Sequence, residues 1–275
     1  MNEFQIPVRG LSIHVTVEGN TDLPSLVFLH GFTGSSSTWR EVRNEFKENY
    51  RTIAIDLTGH GKTTVPDTPA RYAMEEQIED LESLFEHLGL NSFYLVGYSM
   101  GGRIALAYTI RYPERVRALI LESSSPGLSD EQDRVDRREA DKLLARKIID
   151  EGITSFVDKW EDIPLFQSQK SLPAEKREAI RNERLLQSEV GLANSLLGIG
   201  TGSQKSYWEA LSTVSTPVFL LTGEYDAKFV AIAREMAALN PAWRHTVVPE
   251  AGHAIHVEKP RLFATMIMEY LQELY

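Results

Sequence analysis

The sequence predicts an α/β fold in which a mostly parallel central sheet carries helices on both of its faces. Short runs that are apolar throughout, at 25–31, 51–56 and 92–97, are typical of strands buried on both faces. Helical patterns stand between such runs, and an alternation of strands with helices builds a parallel sheet. At 275 residues the chain is long enough to bury a large core around this sheet.

Each predicted element has its own local signal. Residues 4–19 alternate apolar and polar side chains and are predicted to form two strands joined at Gly10. Further strands are expected over 25–31, 51–56, 92–97, 116–123, 216–224 and 243–252. Helices are expected over 74–89, 101–113, 227–239 and 259–274.

The segment from Pro126 to about Ser212 differs from the rest of the chain. It is rich in helical patterns and charged residues, and it contains no run typical of a buried strand. The sheet pattern resumes after it. We therefore predict an α/β core formed by residues 1–125 and 213–275, interrupted by a helical cap at 126–212.

The composition excludes several classes of function. A net charge of −10 is unsuited to nucleic acid or an anionic membrane, although a local arginine cluster still suits a small anionic molecule. The absence of cysteine excludes disulfides, thiol nucleophiles and cysteine-bound metals. No metal or other cofactor is expected. Because neither a signal peptide nor an apolar run of membrane length is recognisable, we expect a cytoplasmic protein.

The stretch LVGYSMGGRIAL at 95–106 contains a candidate nucleophile. Ser99 stands between Gly97 and Gly101 in a G-x-S-x-G pattern at a predicted strand–helix junction. In such a turn the serine is held on a tight bend, and glycines are needed because side chains there collide with neighbouring strands. The backbone N–H of Met100 is then free to stabilise a developing oxyanion.

A serine nucleophile needs a base, and the base needs an acid that orients it. Among seven histidines, His253 follows the last predicted strand in a glycine-containing loop, and His256 is its rival. Asp226 follows the penultimate strand, with Glu224 as the alternative acid. The chain order Ser99, Asp226, His253 is that of the α/β hydrolases.

These motifs together resemble the α/β-hydrolase superfamily. The resemblance covers the whole chain except the cap. It rests on motifs that are spaced as in the superfamily, namely LHGF, DLTGHGKT, GYSMGG, GEYD and AGHAIHVEKP. The resemblance implies the α/β-hydrolase fold. We expect the second oxyanion donor in the loop HGFTG, with the N–H of Phe32 as the candidate. The substrate stays open, because this scaffold carries many different activities.

Arg103 lies four residues after the serine, on the same face of the predicted helix. One interpretation is an ion pair with a nearby carboxylate. The other is that the guanidinium binds an anionic ligand, since an unpaired cation near the floor of the site is costly. One or two inward-facing arginines of the cap would then suffice to hold a polycarboxylate. The cap arginines considered are Arg134, Arg137, Arg138, Arg181 and Arg184.

The resemblance becomes more specific when the cap is included. The chain looks like the 2-succinyl-6-hydroxy-2,4-cyclohexadiene-1-carboxylate synthases of menaquinone biosynthesis in GYSMGGR, LESSSPGL, the R-x-x-R of DRVDRREAD, DKWEDIPLF, GLANSLLGIGTGSQKSYW and GEYDAKF. This resemblance implies a lyase that removes pyruvate from 2-succinyl-5-enolpyruvyl-6-hydroxy-3-cyclohexene-1-carboxylate. The implied partner is therefore a small-molecule tricarboxylate.

The same resemblance implies a set of site residues. The catalytic triad maps onto Ser99, Asp226 and His253. The substrate-binding residues map onto Tyr98, Arg103, Arg137, Trp160 and Arg184, with Arg181 as the alternative to the last. Without the resemblance, the tyrosine and the tryptophan would both be interpreted as packing residues.

Two other functions stay open at this point. A serine hydrolase, either an esterase or a carbon–carbon bond hydrolase, would use the same triad on an acidic small molecule but pass through an ester or tetrahedral intermediate. A non-catalytic binding module would not need an intact serine, aspartate and histidine. The sequence predicts neither a nucleic-acid nor a membrane partner, and it leaves the oligomeric state unspecified.

Overall fold

A computed structural model describes residues 2–274, and one eight-stranded sheet runs through this part of the chain. Its strands are β1 (Asn2–Val8), β2 (Leu11–Glu18), β3 (Ser25–Leu29), β4 (Arg51–Ile55), β5 (Phe93–Tyr98), β6 (Val116–Glu122), β7 (Val218–Gly223) and β8 (Arg244–Val248). Their order across the sheet is β1-β2-β4-β3-β5-β6-β7-β8. β2 pairs antiparallel with both β1 and β4, and every other neighbouring pair is parallel. The predicted mostly parallel sheet is confirmed.

Helices cover both faces of the sheet, as predicted. The helices are α1 (Arg40–Phe46), α2 (Met74–His87), α3 (Met100–Arg111), α4 (Glu131–Trp160), α5 (Ala174–Leu185), α6 (Glu189–Ile199), α7 (Ala227–Leu239), α8 (Ile255–Glu258) and α9 (Pro260–Glu273). Helices α2, α3 and α7 bury Ile78, Ile104 and Met236 against one face. Helices α1 and α9 bury Phe46 and Phe263 against the other.

Strand β3 explains why the parallel strands are apolar throughout. Its residues Val27 and Leu29 pack into the core on one face. The intervening Leu26 and Phe28 pack into the core on the opposite face. Because successive side chains of a strand point to opposite faces, a strand buried on both faces shows no polar alternation.

Residues 126–212 contain α4, α5, α6 and 3-10 helices at Pro164–Ser171 and Trp208–Thr213, and no strand lies in this range. Helix α4 is interrupted at Gly152, whose φ of 83° and ψ of 166° were not predicted. Although α4 is 30 residues long, neither it nor any other helix within 2–274 combines the length and apolarity needed to cross a membrane. The division of the chain into a core and a cap stays a prediction.

The carboxyl ends of the parallel strands meet at one edge of the sheet, and the candidate residues lie there. Ser99 directly follows β5, Asp226 lies in the loop after β7, and His253 lies in the loop after β8. Phe32 lies in the loop after β3. Ligand sites of open α/β sheets form at this edge, because loops from several strands converge on it.

Candidate active site

Ser99 occupies a strained turn between β5 and α3. Its φ of 50° and ψ of −108° lie outside the regions that residues with a side chain usually adopt. The turn is held on both sides, because the Ser99 N–H donates to the Glu122 carbonyl at 2.9 Å and the Ser99 carbonyl accepts from the Arg103 N–H at 3.1 Å. Helix α3 lies so close to β3 that a Cβ on Gly101 would be 2.4 Å from the carbonyl oxygen of Leu29. Glycine is therefore required at this position of the motif.

His253 connects the serine to an acidic residue. Its Nε2 lies 3.0 Å from Ser99 Oγ, and its Nδ1 lies 2.6 Å from Asp226 Oδ2. The imidazole is only 1% exposed, and Asp226 is also buried. Asp226 is itself fixed as the N-terminal cap of α7, where its Oδ1 accepts from the N–H of Phe229 at 3.5 Å. These distances suit proton transfer between serine and histidine, with the carboxylate orienting the ring.

The rival histidine and acid belong to other networks. His256 Nδ1 lies 2.8 Å from a Glu122 carboxylate oxygen, and its Nε2 lies 3.0 Å from the Thr38 hydroxyl. Glu224 accepts from the N–H of Glu250 at 2.9 Å. Among the residues that the structure describes, neither rival forms a hydrogen bond to the serine or to its histidine partner.

The backbone amides of Met100 and Phe32, which lie beside Ser99, are the candidate oxyanion donors. Met100 is the first residue of α3, where a helical N–H has no acceptor within the helix. Phe32 lies in the loop after β3. In the part of the chain from 2 to 274, neither amide donates a hydrogen bond. Both are free to bind an anionic oxygen, and this role stays a prediction.

A cavity of about 700 Å³ opens beside the serine. Its size is typical of sites that hold a small molecule. The predicted site residues that line it are Phe32, Tyr98, Ser99, Met100, Arg103, Arg137, Trp160 and His253. Within the described residues, no group of three or more histidine, aspartate and glutamate side chains is arranged to hold a metal ion.

Arg103 brings a buried cation into this cavity. Its side chain donates from Nη1 to the carbonyl oxygen of Ile199 at 2.8 Å and to the Gln204 Oε1. No carboxylate of residues 2–274 lies within ion-pair distance of it, so the expected alternative of an ion pair is not found. Burial, reinforced by the nearby Arg137 cation, lowers the pKa of Arg103 to about 10. The residue is 9% exposed and presents a positive charge to the cavity, with Asp141 acting on it through space and no ion-pair partner among residues 2–274.

Comparisons with known proteins agree with this geometry. A family model described as the α/β hydrolase fold matches residues 24–260. The chain is 45% identical over 262 residues to a protein of Bacillus subtilis (strain 168) that is provisionally named 2-succinyl-6-hydroxy-2,4-cyclohexadiene-1-carboxylate synthase, and the match covers 95% of each chain. The chain belongs to this synthase family of α/β hydrolases.

Two further relatives extend the comparison with the synthase family. The Salmonella agona (strain SL483) protein named 2-succinyl-6-hydroxy-2,4-cyclohexadiene-1-carboxylate synthase is 34% identical over 242 residues, which cover 88% of this chain and 91% of that one. The solved structure of MenH from S. aureus superposes with a TM-score of 0.90 at 39% identity, covering 94% of this chain and 98% of that one. The predicted family and fold are confirmed.

Arg137, which the resemblance to the synthase family implies in substrate binding, lies in the cavity wall and is paired with a carboxylate. Its Nε donates to Asp141 Oδ1 at 2.9 Å, and part of the side chain is exposed. The neighbouring Arg138 lies outside the cavity lining and donates to the Gly202 carbonyl at 2.9 Å and to Glu131 at 3.0 Å. The two adjacent arginines therefore differ in access to a ligand.

Arg184 is not brought into the same cavity. Its guanidinium lies 4.6 Å from the centre of the Phe166 ring, and its Nη2 donates to Gln169 Oε1 at 3.2 Å. Phe166 lines the main cavity and two smaller neighbouring cavities, whereas Arg184 lines only the two smaller ones. The alternative, Arg181, forms ion pairs with Asp158 at 2.5 Å and with a second carboxylate. Of the two arginines, Arg184 is therefore the one that lacks an acidic partner among residues 2–274.

Tyr98 and Trp160 line the cavity with aromatic surface. The Tyr98 ring centre lies 5.3 Å from that of His253, and burial raises the pKa of its hydroxyl. Trp160 stacks on Phe156 and meets Phe32 edge to face at 5.5 Å. Its indole N–H is buried and has no hydrogen-bond partner among the described residues. Both rings therefore pack against their neighbours, the tryptophan also has an unused donor, and substrate binding by either residue stays a prediction.

Three side chains at the site were missed by the sequence analysis. The rings of Phe229 and Phe166 lie 4.7 Å and 6.3 Å from the ring of His253, and both line the cavity. Gln204 accepts the hydrogen bond from Arg103 that is described above. Phe229 follows the candidate acid Asp226 by only three positions, and this spacing was a signal that could have identified it. Nothing in the local sequence of Phe166 or Gln204 indicates a contact with the site.

Proposed function

We propose that this chain is a carbon–oxygen lyase that eliminates pyruvate from 2-succinyl-5-enolpyruvyl-6-hydroxy-3-cyclohexene-1-carboxylate. The product is 2-succinyl-6-hydroxy-2,4-cyclohexadiene-1-carboxylate, an intermediate of menaquinone biosynthesis. Membership of the synthase family supports this activity. The observation that carries the proposal is the Ser99–His253 contact at 3.0 Å in a cavity whose wall holds Arg103, a cation without a carboxylate partner in residues 2–274.

The substrate carries three carboxylates, and arginines are suited to bind them through paired N–H donors. Arg103 and Arg137 would hold two carboxylates at the cavity wall. Arg184 would hold the third, which requires the Phe166 ring to turn aside. The unused indole N–H of Trp160 and the hydroxyl of Tyr98 would add neutral hydrogen bonds. Such contacts fix the ring so that its acidic C–H faces the base.

The reaction begins with removal of the proton on the ring carbon next to the succinyl ketone. Ser99 and His253 act as one base, so the proton is transferred to the imidazole and Asp226 stabilises the resulting cation. The electron pair of the broken C–H bond is delocalised onto the ketone oxygen. The N–H groups of Phe32 and Met100 stabilise this enolate as they would the oxyanion of a hydrolase.

Collapse of the enolate completes the elimination. The electron pair returns through the ring, the second double bond forms, and the bond between the ring carbon and the enolpyruvyl oxygen breaks. The leaving pyruvate enolate is protonated to pyruvate, so the proton taken from the ring is accounted for. No water is consumed and no covalent bond to Ser99 forms, which distinguishes this path from ester hydrolysis.

The test is to incubate the purified protein with the enolpyruvyl substrate in water enriched in oxygen-18. We expect pyruvate and the cyclic diene in equal amounts, with no oxygen-18 in the cyclic product. A panel of simple esters is run in parallel. Turnover of the esters without release of pyruvate would instead identify a serine hydrolase, and binding without turnover would identify a non-catalytic module.

A further inference from the structure

Gln204 is buried directly behind the Arg103 guanidinium. It is 3% exposed and does not line the cavity itself. Its Oε1 accepts from Arg103 Nη1, and its backbone N–H donates to the Gly200 carbonyl at 3.2 Å. The same Nη1 donates to the Ile199 carbonyl at 2.8 Å. Both acceptors of this nitrogen therefore carry no net charge.

Arginines outside the site are held in two ways. The buried Arg43 donates to neutral oxygens of Thr16 and Thr52, and the Glu18 carboxylate lies 3.9 Å from it. The less buried Arg71 is held by a carboxylate. Asp80, itself buried, accepts two hydrogen bonds from the Arg71 guanidinium, each at 2.6 Å. A carboxylate partner is the usual way to offset the desolvation of such a cation. The carboxylate that acts on Arg103 through space, Asp141, forms its ion pair with Arg137 at 2.9 Å. Asp141 therefore acts on Arg103 only through space, and within residues 2–274 no carboxylate forms an ion pair or a hydrogen bond with this guanidinium.

Arg184 repeats the arrangement independently. It is 6% exposed, and within residues 2–274 its side chain donates one hydrogen bond, to the amide oxygen of the buried Gln169 at 3.2 Å. No carboxylate in the described part of the chain lies within 4.0 Å of its guanidinium. By contrast, the more exposed Arg181 is paired with two carboxylates. The two buried arginines implied in substrate binding therefore both have a glutamine where an ion pair would need a glutamate.

We propose that Gln204 is a positioning residue that orients Arg103 without neutralising it, so that the cation stays available to a substrate carboxylate. This inference rests on the function proposed above. Gly127 contributes the necessary space, because a Cβ on this glycine, whose φ is 97°, would lie 2.6 Å from Gln204 Nε2. A carboxylate at the same place would pair with Arg103 within the protein and compete with the substrate.

The decisive variant is Gln204→Glu, which keeps the side-chain shape and adds the competing charge. We expect KM for the enolpyruvyl substrate to rise by about tenfold or more, the loss that accompanies one charge-assisted hydrogen bond. The value of kcat at saturating substrate should change much less, because the serine and its base are untouched. The control is Gln272→Glu, an exposed residue of α9, which makes the same charge change and should leave KM unaltered.

Two further variants separate the electrostatic role from folding. Gln204→Met removes the acceptor without adding charge and should raise KM less than the glutamate does. In an Arg103→Met background, Gln204→Glu should change KM by less than about twofold, since the pair it acts on is gone. Circular dichroism checks the fold of every variant. If Gln204→Glu does not fold, the comparison of Gln204→Met with and without Arg103 carries the test, and additive effects would refute the proposal.

An unchanged KM in folded Gln204→Glu would overturn the role of this residue, as would equal KM values for the Met and Glu variants. Either result in an otherwise active enzyme would leave the lyase assignment intact. If instead the unmodified protein releases no pyruvate at all, the proposed function itself fails. The two failures are therefore distinguished by the activity of the unmodified protein.

Discussion

The Nε2 of His253 lies 3.0 Å from the Oγ of Ser99, close enough for a direct proton transfer between the two side chains. The contact joins the loop after β8 to the turn after β5. The imidazole is enclosed by the rings of Tyr98 and Phe229, which limits its motion. Serine and histidine are therefore expected to act as one unit.

Ser99→Ala and His253→Ala should each lower kcat by at least about 10³-fold, because each removes part of the same proton-transfer unit. The double variant should be little worse than either single variant. Steady-state measurement of pyruvate release checks this. Losses that multiply in the double variant would show that the two residues act separately, and the triad assignment would then be wrong.

Arg103→Ala and Arg137→Ala should each lower kcat/KM by about 10- to 150-fold, the effect of losing one charge-assisted contact worth about 1.5–3 kcal/mol. Lysine should restore only part of the activity, since a point charge does not reproduce the paired donors of arginine. The matched control is Arg138→Ala, which removes a cation outside the cavity lining.

The same experiment tests the structural alternative for Arg103. Thermal unfolding of each variant is measured beside its kinetics. A lower Tm with an unchanged kcat/KM for Arg103→Ala would assign this residue to folding rather than to substrate binding.

Arg184→Ala should also lower kcat/KM by about 10- to 150-fold, provided that the Phe166 ring moves when the substrate binds. The prediction follows from the guanidinium lying behind this ring at 4.6 Å while lacking a carboxylate partner in residues 2–274. A crystal structure with an unreactive substrate analogue should show the ring rotated and a carboxylate on Arg184. Wild-type kinetics for Arg184→Ala would remove this residue from the substrate-binding set.

The buried contact between His14 and Asp56 should make stability depend on pH. His14 Nδ1 lies 2.9 Å from Asp56 Oδ2, and this hydrogen bond raises the pKa of His14, opposed by burial and supported by Glu3. Burial acts to raise the pKa of Asp56, yet hydrogen bonds from His14 and from the N–H groups of Lys62 and Ser36 hold it well below its usual range. The histidine therefore carries its charge more readily in the folded chain than in the unfolded one.

Because folding raises the pKa of His14, protonated His14 stabilises the fold fully below its unfolded-state pKa of about 6.5. This stabilisation is lost as the pH rises through the folded-state pKa. We expect the difference in Tm between the unmodified protein and His14→Gln to be largest near about pH 5.5 and to shrink toward about pH 8.5. Calorimetry measures it. The exposed His87→Gln is the control, and a difference that does not vary with pH for His14→Gln would contradict the prediction.

The elements that follow from short sequence patterns were predictable. The elbow at Ser99 depends on glycines within two positions of it, and the apolar run of β3 directly reports burial on both faces. His253 and Asp226 could be chosen because the ends of parallel strands converge at one edge of a sheet. Local pattern and global topology agree at these positions.

Side chains whose roles depend on distant packing were not predictable. Gln204 meets Arg103 from 101 positions away, and an uncharged residue in a turn gives no signal of such a contact. Phe166 separates Arg184 from the serine only because the helices of 126–212 fold across the site. His14 lies in β2 between two other strands and is buried against Asp56, which is distant in the sequence. Each case is settled by tertiary contacts rather than by propensity.

Ser99 and His253 are 154 positions apart in the sequence, so the ribosome adds them at different times. A ribosome adds about 5–20 residues per second, so roughly 8–30 s pass between the synthesis of the nucleophile and that of its base. A nascent chain that ends within 126–212 has the elbow but neither the acid nor the histidine. On the proposed mechanism, incomplete translation products are therefore inert, and the serine gains its base only after the last strand has been synthesised.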